Sequence, residues 1–449
     1  MRKRSLCVLT VATLALSTAL TGCGGSTSAQ TQQEETTVET EKKAEETAAA
    51  DTTVVQAATE AISKPEPEPV PEPVPEPEPE PELPRSPLTG KVMDEELLKQ
   101  RPLAFMFPIN KQAQPQYGLD RVDVFYEIME EGNMSRQMGI MQDWQDLDRI
   151  GNVRSIRSYF VYEALEWDPI IIHFGGPSDY TGEILSREDV DNINGTGHPS
   201  MGPDYGAFYR IPHDGVAIEH TAYTDADHIL NAIEEAGFEK EHREEYYHDK
   251  HFTFAKDGQI NDLSQYPDAV NATEVDMAGS FPVTQSALYY DEDDHLYYKT
   301  LYGNDQCDAA TGEQMAFTNI FIQRAEWVYA NNDSREWEDG THGYLWFRIE
   351  DPGYDGFYIT NGKMIHVTWN KEDDYEPTLF YDDNGNEVTV NQGRTMIFII
   401  RDDRDDFDID GITYYPEDHA TITAPREDAS DSSTEEESAP VEEPENEEM

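Results

Sequence analysis

A nearly strict alternation of proline with glutamate or valine, covering residues 65–82, sets the first limit on what this chain can fold into. Proline lacks a backbone N–H and fixes φ, so this segment cannot lie inside a helix or a sheet. We expect an extended spacer, which at about 3.1 Å per residue would reach roughly 60 Å. Residues 425–449 are rich in Ser, Pro and Glu and predict a disordered acidic tail. The part able to form a core is therefore residues 87–424.

The N-terminal residues have the pattern of an export signal. Basic residues at positions 2–4 precede an apolar stretch, residues 6–20, which is too short to cross a bilayer of about 30 Å as a helix. The run Leu-Thr-Gly-Cys at 20–23 resembles the lipobox of bacterial lipoproteins. The resemblance implies cleavage before Cys23 and lipidation of its sulfur; the alternative is an ordinary signal peptide with an incidental cysteine. We expect residues 1–22 to be a signal peptide and residues 23–86 a lipidated, disordered linker on the extracytoplasmic face of the membrane.

The formal net charge of −60 excludes some classes of partner. Such a surface repels the phosphate backbone of nucleic acids, so we expect no nucleic-acid binding. It also repels anionic lipid headgroups, so membrane contact would come through the N-terminal lipid. We expect no cofactor beyond a loosely bound divalent cation.

Hydrophobic patterning divides the foldable part in two. Residues 87–268 mix strand signals at 101–108, 122–129, 138–141 and 169–174 with helix signals over 153–167 and after an N-cap at Thr224. Residues 269–424 contain almost only strand signals, with Asn361-Gly362 and Asn384-Gly385 as hairpin turns. The pattern predicts an α+β protein, in which a mixed α/β N-terminal domain packs beside a β-rich C-terminal domain.

One group of residues could bind an anion. We expect strand 138–141, helix 153–167 and strand 169–174 to form a βαβ unit with parallel strands, so that the helix start and the second strand's end meet at one sheet edge. Helix N-termini and arginines attract anions, glycines allow close approach, and an imidazole can exchange protons. The alternative is that the two arginines of this group, at 154 and 157, form internal salt bridges with glutamates 127, 130 or 131. The group consists of Arg154, Ser155, Arg157, Ser158, His173, Gly175 and Gly176.

Further side chains could complete this site. Glu127 could act with His173 as an acid and base. Glu131, Arg136, His213 and Asp214 are other candidates for the pocket. No spacing of these residues matches a zinc signature, so we predict no metal site.

Several strings in the chain resemble those of a known family. They include Asp-Val-Phe-Tyr-Glu at 123–127, Gly-Asn-Val-Arg-Ser-Ile-Arg at 151–157, His-Phe-Gly-Gly at 173–176 and Val-Thr-Trp at 367–369. In this order they resemble the YerB-like lipoproteins of Gram-positive bacteria, over nearly all of residues 86–402. The resemblance implies paired N-terminal and C-terminal domains of unknown function and no established activity. Two positions depart from the pattern: Asn152 stands where a proline is expected, and Asp214 where the family has asparagine.

Two classes of function stay open at this point. The first is a non-catalytic binding or assembly factor at the cell envelope, whose partner is an envelope component or a protein. The alternative is an extracytoplasmic hydrolase acting on a cell-wall component, with His173 and Glu127 in the reaction. Because no recognised catalytic string occurs in the chain, we favour the first.

Overall fold

The computed structural model describes residues 83–179, 181–329, 344–349 and 354–416. The predicted signal peptide, Cys23, the proline–glutamate spacer and the acidic tail lie outside the described residues. None of the helices in this described part combines the length and the apolar character that a membrane span requires.

Strands dominate the described residues, which contain twenty-five strands and four short α-helices. The strands are β1 (Leu103–Phe107), β2 (Val124–Met129), β3 (Ser135–Met141), β4 (Ile150–Gly151), β5 (Ile170–His173), β6 (Asn192–Asn194), β7 (Tyr209–Arg210), β8 (Ala222–Thr224), β9 (Thr253–Phe254), β10 (Val270–Asn271), β11 (Glu274–Asp276), β12 (Ala287–Asp291), β13 (Leu296–Leu301), β14 (Asn304–Asp305), β15 (Ala316–Phe317), β16 (Asn319–Ala325), β17 (Trp327–Tyr329), β18 (Leu345–Phe347), β19 (Tyr354–Thr360), β20 (Lys363–Asn370), β21 (Leu379–Tyr381), β22 (Thr389–Val390), β23 (Thr395–Arg401), β24 (Phe407–Ile409) and β25 (Ile412–Tyr414). The helices are α1 (Glu95–Lys99), α2 (Ser158–Leu165), α3 (Thr181–Leu185) and α4 (Ala226–Ala236).

The predicted α+β class is matched in part. All four α-helices precede residue 237 and the described residues after it form strands and loops, as expected. The N-terminal half is nevertheless richer in strand than a mixed α/β domain, since helices α1 and α3 have only five residues each.

An eleven-stranded sheet forms the centre of the described body. Its order is β10-β20-β19-β16-β23-β2-β3-β1-β5-β6, and β21 pairs with β20. Strand β23 lies between β2 and β16 and is parallel to both. The N-terminal and C-terminal halves of the chain therefore share one hydrogen-bonded sheet. The boundary that we predict near residue 268 stays a prediction.

The expected βαβ unit is wrong. Strand β1 lies between β3 and β5, antiparallel to β3 and parallel to β5. Strands β3 and β5, which were expected to be the parallel pair, are therefore antiparallel to each other and do not pair. The segment predicted to be the start of a long helix is extended instead, and α2 begins only at Ser158. The cause is local, because the N–H of Arg154 bonds to the carbonyl of Met106 (2.9 Å) and that of Ile156 to the carbonyl of Gly175 (3.0 Å).

The predicted N-cap of the second helix is also wrong. Thr224 is the last residue of β8, and Asp225 caps α4 by accepting a hydrogen bond from the N–H of His228 (2.9 Å). Aspartate is at least as good an N-cap as threonine, so a shift of one residue costs the helix nothing. Gly237, at φ +75°, ends the helix in the left-handed conformation.

The two faces of the central sheet are covered by different elements. Phe125 stacks on Phe317 at 6.1 Å between ring centroids, so its face packs against the seven-stranded sheet that contains β12, β13 and β15. Tyr126 points the other way and donates a hydrogen bond to Glu166, at the end of α2, across 2.6 Å. Alternate residues of a strand face opposite sides of a sheet. Side chains of the central strands are therefore buried on both faces.

Candidate functional site

The expected meeting of the 154–158 and 173–176 segments does occur, although by a different route. The extended residues 152–157 run beside the ends of the parallel strands β1 and β5, and the N–H of Phe174 bonds to the carbonyl of Arg154 (2.9 Å). Gly176 permits this approach, because a Cβ there would lie 2.7 Å from the carbonyl oxygen of Ile156. Gly175 turns the chain at φ +78°, and its N–H bonds to the side chain of Asn194 (2.9 Å).

His173 lies inside this edge and is not exposed. Its Nδ1 is 2.9 Å from the carbonyl oxygen of Gly175, and its Nε2 is 3.2 Å from the side-chain oxygen of Asn192. Burial lowers the pKa of His173 below its ordinary value. A neutral imidazole has one N–H, which donates to one of these two oxygens, so the ring is held inside the protein between the ends of β5 and β6.

Glu127 is equally buried, on the opposite face of the sheet. Its Oε2 accepts hydrogen bonds from Lys299 (2.7 Å) and Ser286 (3.0 Å). Burial opposes the charged form, but the Lys299 ammonium holds the pKa of Glu127 below its ordinary value. This carboxylate is therefore an ionised partner of a buried lysine.

Glu127 and His173 are not brought together. In the register of the sheet Glu127 pairs with Gln137, Gln137 with Phe107, and Phe105 with Ile172, so these side chains share one face. His173 follows Ile172 and faces the other side. The order β2-β3-β1-β5 also places three strand spacings, about 14 Å, between the two strands. Nothing in the described residues supports acid–base catalysis by this pair.

Arg157 forms the internal salt bridges that the sequence left as an alternative. Its Nη2 is 2.5 Å from Oε2 of Glu131 and 3.1 Å from Oε2 of Glu130. Burial disfavours the charged form, but these carboxylates raise the pKa of Arg157 above its ordinary value. Arg136 binds Glu130 as well, at 2.5 Å. Both arginines are thus held by the turn between β2 and β3.

Arg154 is much less well neutralised. Its nearest carboxylate among the described residues is Glu219 at 3.7 Å, and its Nη1 reaches the backbone carbonyl of Glu219 at 3.4 Å. Burial and the neighbouring Arg136 lower the pKa of Arg154. Its side chain is 21% exposed, so it lies at the surface of the cluster. Three polar atoms around it, within the described residues, lack a hydrogen-bond partner: Nε of Arg154, Nε of Arg136 and Nδ1 of His220.

We call these residues the arginine cluster: Arg136, Arg154 and Arg157 with Glu130, Glu131, Glu219 and His220. Burial and the charges of Arg154 and Arg136 lower the pKa of His220, so the imidazole is the neutral member. Three guanidinium groups therefore meet three carboxylates in a chain whose net charge is −60. Such a locally neutral region, in which Arg154 is partly exposed and has its nearest carboxylate at 3.7 Å, can accept one further anion.

The remaining predicted residues are placed around or away from the cluster. Ser155 is half-buried, and its carbonyl accepts a hydrogen bond from Arg136 (3.4 Å). Ser158 is fully buried as the first residue of α2, and its Oγ has no partner among the described residues. His213 and Asp214 lie in an exposed loop, and no described ion pair joins them to the cluster. In the described part of the chain no three His, Cys, Asp or Glu side chains are grouped so that they could hold a metal ion.

Glu219 was missed at the sequence level, because it lies sixty-five positions after Arg154. It reaches the cluster through the antiparallel pairing of Gly151 with Tyr223, between β4 and β8. These two strands have two and three residues, too short to give a periodic signal. The sequence offered one indirect signal: Arg154 is a basic residue in a chain with many carboxylates, so an acidic partner such as Glu219 could be expected for it.

Comparison with known proteins places the chain in a family. Residues 88–239 match the model described as the N-terminal domain of a protein of unknown function (DUF3048), and residues 277–397 match its C-terminal domain. The chain is 28% identical over 316 residues to the putative lipoprotein YerB of Bacillus subtilis strain 168. The matched residues cover 70% of this chain and 83% of that protein.

A solved structure gives the same assignment. The structure is similar to the crystal structure of the YerB protein from Bacillus subtilis, with a TM-score of 0.56 and 25% identity, over 70% of this chain and 96% of that one. The resemblance in the sequence strings is thereby confirmed. The chain belongs to the YerB-like family of proteins with paired DUF3048 domains.

Proposed function

We propose that this protein is a non-catalytic lipoprotein of the cell surface, which binds an anionic group of an envelope component at the arginine cluster. Its anchor would be a lipid on Cys23, and the proline–glutamate spacer would hold the folded body away from the membrane. The name of the related YerB protein as a putative lipoprotein supports the anchor. The role uses no cofactor, and the acidic surface would attract divalent cations only loosely.

The single observation that carries the binding role is the poor pairing of Arg154. Every other arginine of the cluster has a carboxylate oxygen at 2.5 Å, whereas Arg154 has its nearest one at 3.7 Å. A buried or half-buried N–H donor without an acceptor costs about 1–3 kcal/mol. A carboxylate or phosphate oxygen placed against Arg154 would remove that cost. The cluster is therefore better satisfied with an anion than without one.

Thermal unfolding of the full-length chain in increasing inorganic phosphate tests this proposal. Because a ligand that binds only the folded state stabilises it, phosphate should raise the Tm in a saturable way. A background of about 0.15 M NaCl reduces the general repulsion by the acidic surface. Arg154→Gln should weaken phosphate binding about tenfold, which corresponds to one lost charged hydrogen bond of about 1.4 kcal/mol.

Arg121→Gln is the matched control, because Arg121 is also partly exposed but pairs with Asp143 (3.3 Å) and Asp146 (2.8 Å), which do not belong to the cluster. The control should keep the phosphate response of the parent chain. A Tm that phosphate leaves unchanged, or that rises equally in the Arg154→Gln variant, would contradict the proposed site.

A further inference from the structure

Arg210 adds an exposed cation beside the arginine cluster. Most arginines of the described residues have a carboxylate oxygen within 4.0 Å, and the exceptions among them are Arg149, Arg210 and Arg394. Arg394 donates to the backbone carbonyl of Asp120, at the start of β2, whereas the cluster lies at the end of that strand. Arg149 lies over the ring of Tyr223, which is on the opposite side of the small sheet β4-β8-β7 from Arg210. Of these three arginines, only Arg210 can act together with the cluster.

Arg210 and Arg154 bind neighbouring carbonyls of one 3₁₀ turn, Ile218–His220. Nη1 of Arg210 donates to the carbonyl of Ile218 (2.5 Å), and Nη1 of Arg154 donates to the carbonyl of Glu219 (3.4 Å). Because a 3₁₀ turn rises only about 2 Å per residue, successive carbonyl oxygens lie roughly 4 Å apart. A ligand placed at this turn can therefore contact both arginines.

The position of Arg210 is fixed by an aromatic ring. Its guanidinium carbon lies 4.6 Å from the ring centroid of Phe174. That ring packs so closely on Gly195 that a side chain at the glycine would collide with it. The N–H of Phe174 bonds to the carbonyl of Arg154 (2.9 Å), so the two arginines are connected through Phe174 as well as through the turn. Because Arg210 is exposed, part of its guanidinium group stays open to a ligand.

An apolar side chain lies next to these cations. Ile218, whose carbonyl binds Arg210, is 60% exposed. Its turn is well held, because the N–H of Thr221 bonds to the Ile218 carbonyl (3.2 Å) and the side chain of Gln112 accepts from the N–H of Ala217 (3.0 Å). A guanidinium plane stacks on flat rings, and a fixed turn loses little freedom when a ligand covers it. A planar apolar group can therefore pack on Arg210 and Ile218 together.

The balance of charge at this turn suits one negative charge. The arginine cluster contains three guanidinium groups and three carboxylates, and its imidazole is neutral, so Arg210 leaves an excess of one positive charge. A ligand with a single carboxylate matches that excess. A polyanion would bring every further charge against a protein whose net charge is −60, whether it is a nucleic acid or a charged glycan.

We propose that Arg154, Arg210 and Ile218, supported by Phe174, form a site for a small amphipathic monoanion, in which a planar apolar group lies next to a carboxylate. The carboxylate would bind the N–H groups of Arg154 and Arg210, and the apolar group would cover Ile218 and the guanidinium plane of Arg210. The inference rests on the proposed function, since Arg154 belongs to both sites, and it specifies the class of anion that is bound.

Thermal unfolding of the full-length chain with three probes tests this inference, in about 0.15 M NaCl. The probes are hydrocinnamate, which has a phenyl ring and a carboxylate, propionate, which lacks the ring, and hydrocinnamyl alcohol, which lacks the charge. The rise of Tm with concentration gives an apparent Kd for each. Hydrocinnamate should bind about tenfold more tightly than propionate, because removing about 60 Å² of apolar surface from water corresponds to roughly that factor. The alcohol should also bind at least about tenfold more weakly than hydrocinnamate.

Two variants at exposed positions separate the apolar contact from the charged one. Ile218→Ser should weaken hydrocinnamate binding about threefold and leave propionate and phosphate binding unchanged, because it removes only apolar area. Ile260→Ser is its control, since Ile260 is 62% exposed in a different loop. Arg210→Gln should weaken hydrocinnamate binding about tenfold, with Arg121→Gln as its control.

Hydrocinnamate that binds no more tightly than propionate or the alcohol would overturn the inference, and so would binding that neither Ile218→Ser nor Arg210→Gln weakens. In those cases a phosphate response that depends on Arg154 would leave the proposed function standing. A parent chain whose Tm responds to neither phosphate nor propionate would instead overturn the proposed function.

Discussion

Lys299 donates a hydrogen bond to Glu127 across 2.7 Å, and neither side chain is exposed to solvent. Lys299 belongs to the seven-stranded sheet and Glu127 to the central sheet. Ser135, the first residue of β3, and Ser286, which directly precedes β12, also donate to the carboxylate. The pair therefore connects the two sheets by a charged contact inside a buried polar network.

Removing one member of this pair should be far more harmful than removing both. Lys299→Met leaves the Glu127 carboxylate buried without its cation, and we expect the free energy of unfolding to fall by about 3–5 kcal/mol. The double variant Glu127→Gln with Lys299→Met should recover much of that loss. Urea denaturation measures both. As a control, Lys250→Met removes an exposed lysine that lies 3.6 Å from Glu387, and it should cost less than about 1 kcal/mol. Equal losses for Lys299→Met and Lys250→Met would contradict the expectation.

His366 should make stability depend on pH in the neutral range. Burial opposes its protonation, but Asp355 and Asp383, each bonded to one ring nitrogen, raise the pKa of His366 above its ordinary value. A raised pKa in the folded state means that the protonated ring stabilises the fold fully below the unfolded pKa of about 6.5. That contribution is lost as the pH rises through the folded pKa.

The comparison of the parent chain with His366→Gln checks this sign. The difference in the free energy of unfolding should be largest below about pH 6.5 and should shrink at higher pH. His213→Gln, in an exposed loop, should show no such trend. A difference between parent and His366→Gln that grows with pH would contradict the assignment.

Asp308 should contribute strongly to the stability of the fold. Its Oδ2 accepts hydrogen bonds from the N–H groups of Gly118 (2.7 Å) and Leu119 (2.9 Å), and its Oδ1 from those of Ala310 (2.7 Å) and Thr311 (3.0 Å). Asp308→Ala leaves four backbone donors without their acceptor, so the free energy of unfolding should fall by at least about 2 kcal/mol.

Chemical denaturation of Asp308→Ala, Asp308→Asn and Asp291→Ala distinguishes the causes. Asparagine keeps one side-chain oxygen and should lose less than alanine. Asp291 accepts one hydrogen bond in an exposed turn, from the N–H of Asp293 (2.9 Å), so its replacement should cost less than about 1 kcal/mol. The expectation fails if Asp308→Ala is as stable as Asp291→Ala.

Cys23 should determine where the protein resides. If its sulfur carries the lipid, Cys23→Ala should move the protein from the membrane fraction to the soluble fraction of lysed cells, and should abolish labelling by a palmitate analogue. The reason is that stable anchoring needs about two acyl chains, which the acidic body cannot replace. Ser26→Ala, three residues away, is the control and should leave both readouts unchanged. A Cys23→Ala variant that stays membrane-bound would refute the anchor.

Local signals in the sequence were sufficient for many elements. Apolar runs predicted strand β1 and the hairpin β2–β3, and the two strands of that hairpin pair as expected. Asn361 and Gly362 have φ values of +50° and +74° and join β19 to β20. At the other predicted turn only Gly385 has positive φ, because Asp382 holds that loop through the N–H groups of its neighbours.

Non-local relationships could not be predicted in the same way. The insertion of β1 between β3 and β5 depends on pairing between distant segments, and nothing in residues 138–174 indicates it. Helix α2 begins at Ser158 and not at the predicted residue 153, because the N–H groups of Arg154 and Ile156 bond to carbonyls of Met106 and Gly175, which lie elsewhere in the chain. The salt bridges of Arg157 were among the stated alternatives. Only the folded geometry shows that the two arginines differ: Arg157 lies 2.5 Å from a carboxylate oxygen of Glu131, whereas Arg154 has its nearest carboxylate oxygen, that of Glu219, at 3.7 Å.

The position of β23 between β2 and β16 has a consequence for how the protein matures. Until residues 395–401 arrive, β2 and β16 each present an open row of N–H and C=O groups along an apolar strand, which is a template for aggregation. In a chain that crosses the membrane from its N-terminus, the edges of β2 and β16 would have to stay unpaired with other chains until residues 395–401 have also crossed. Either half expressed alone would retain such an exposed border, so the two halves should be obtained as soluble material only when they are synthesised together.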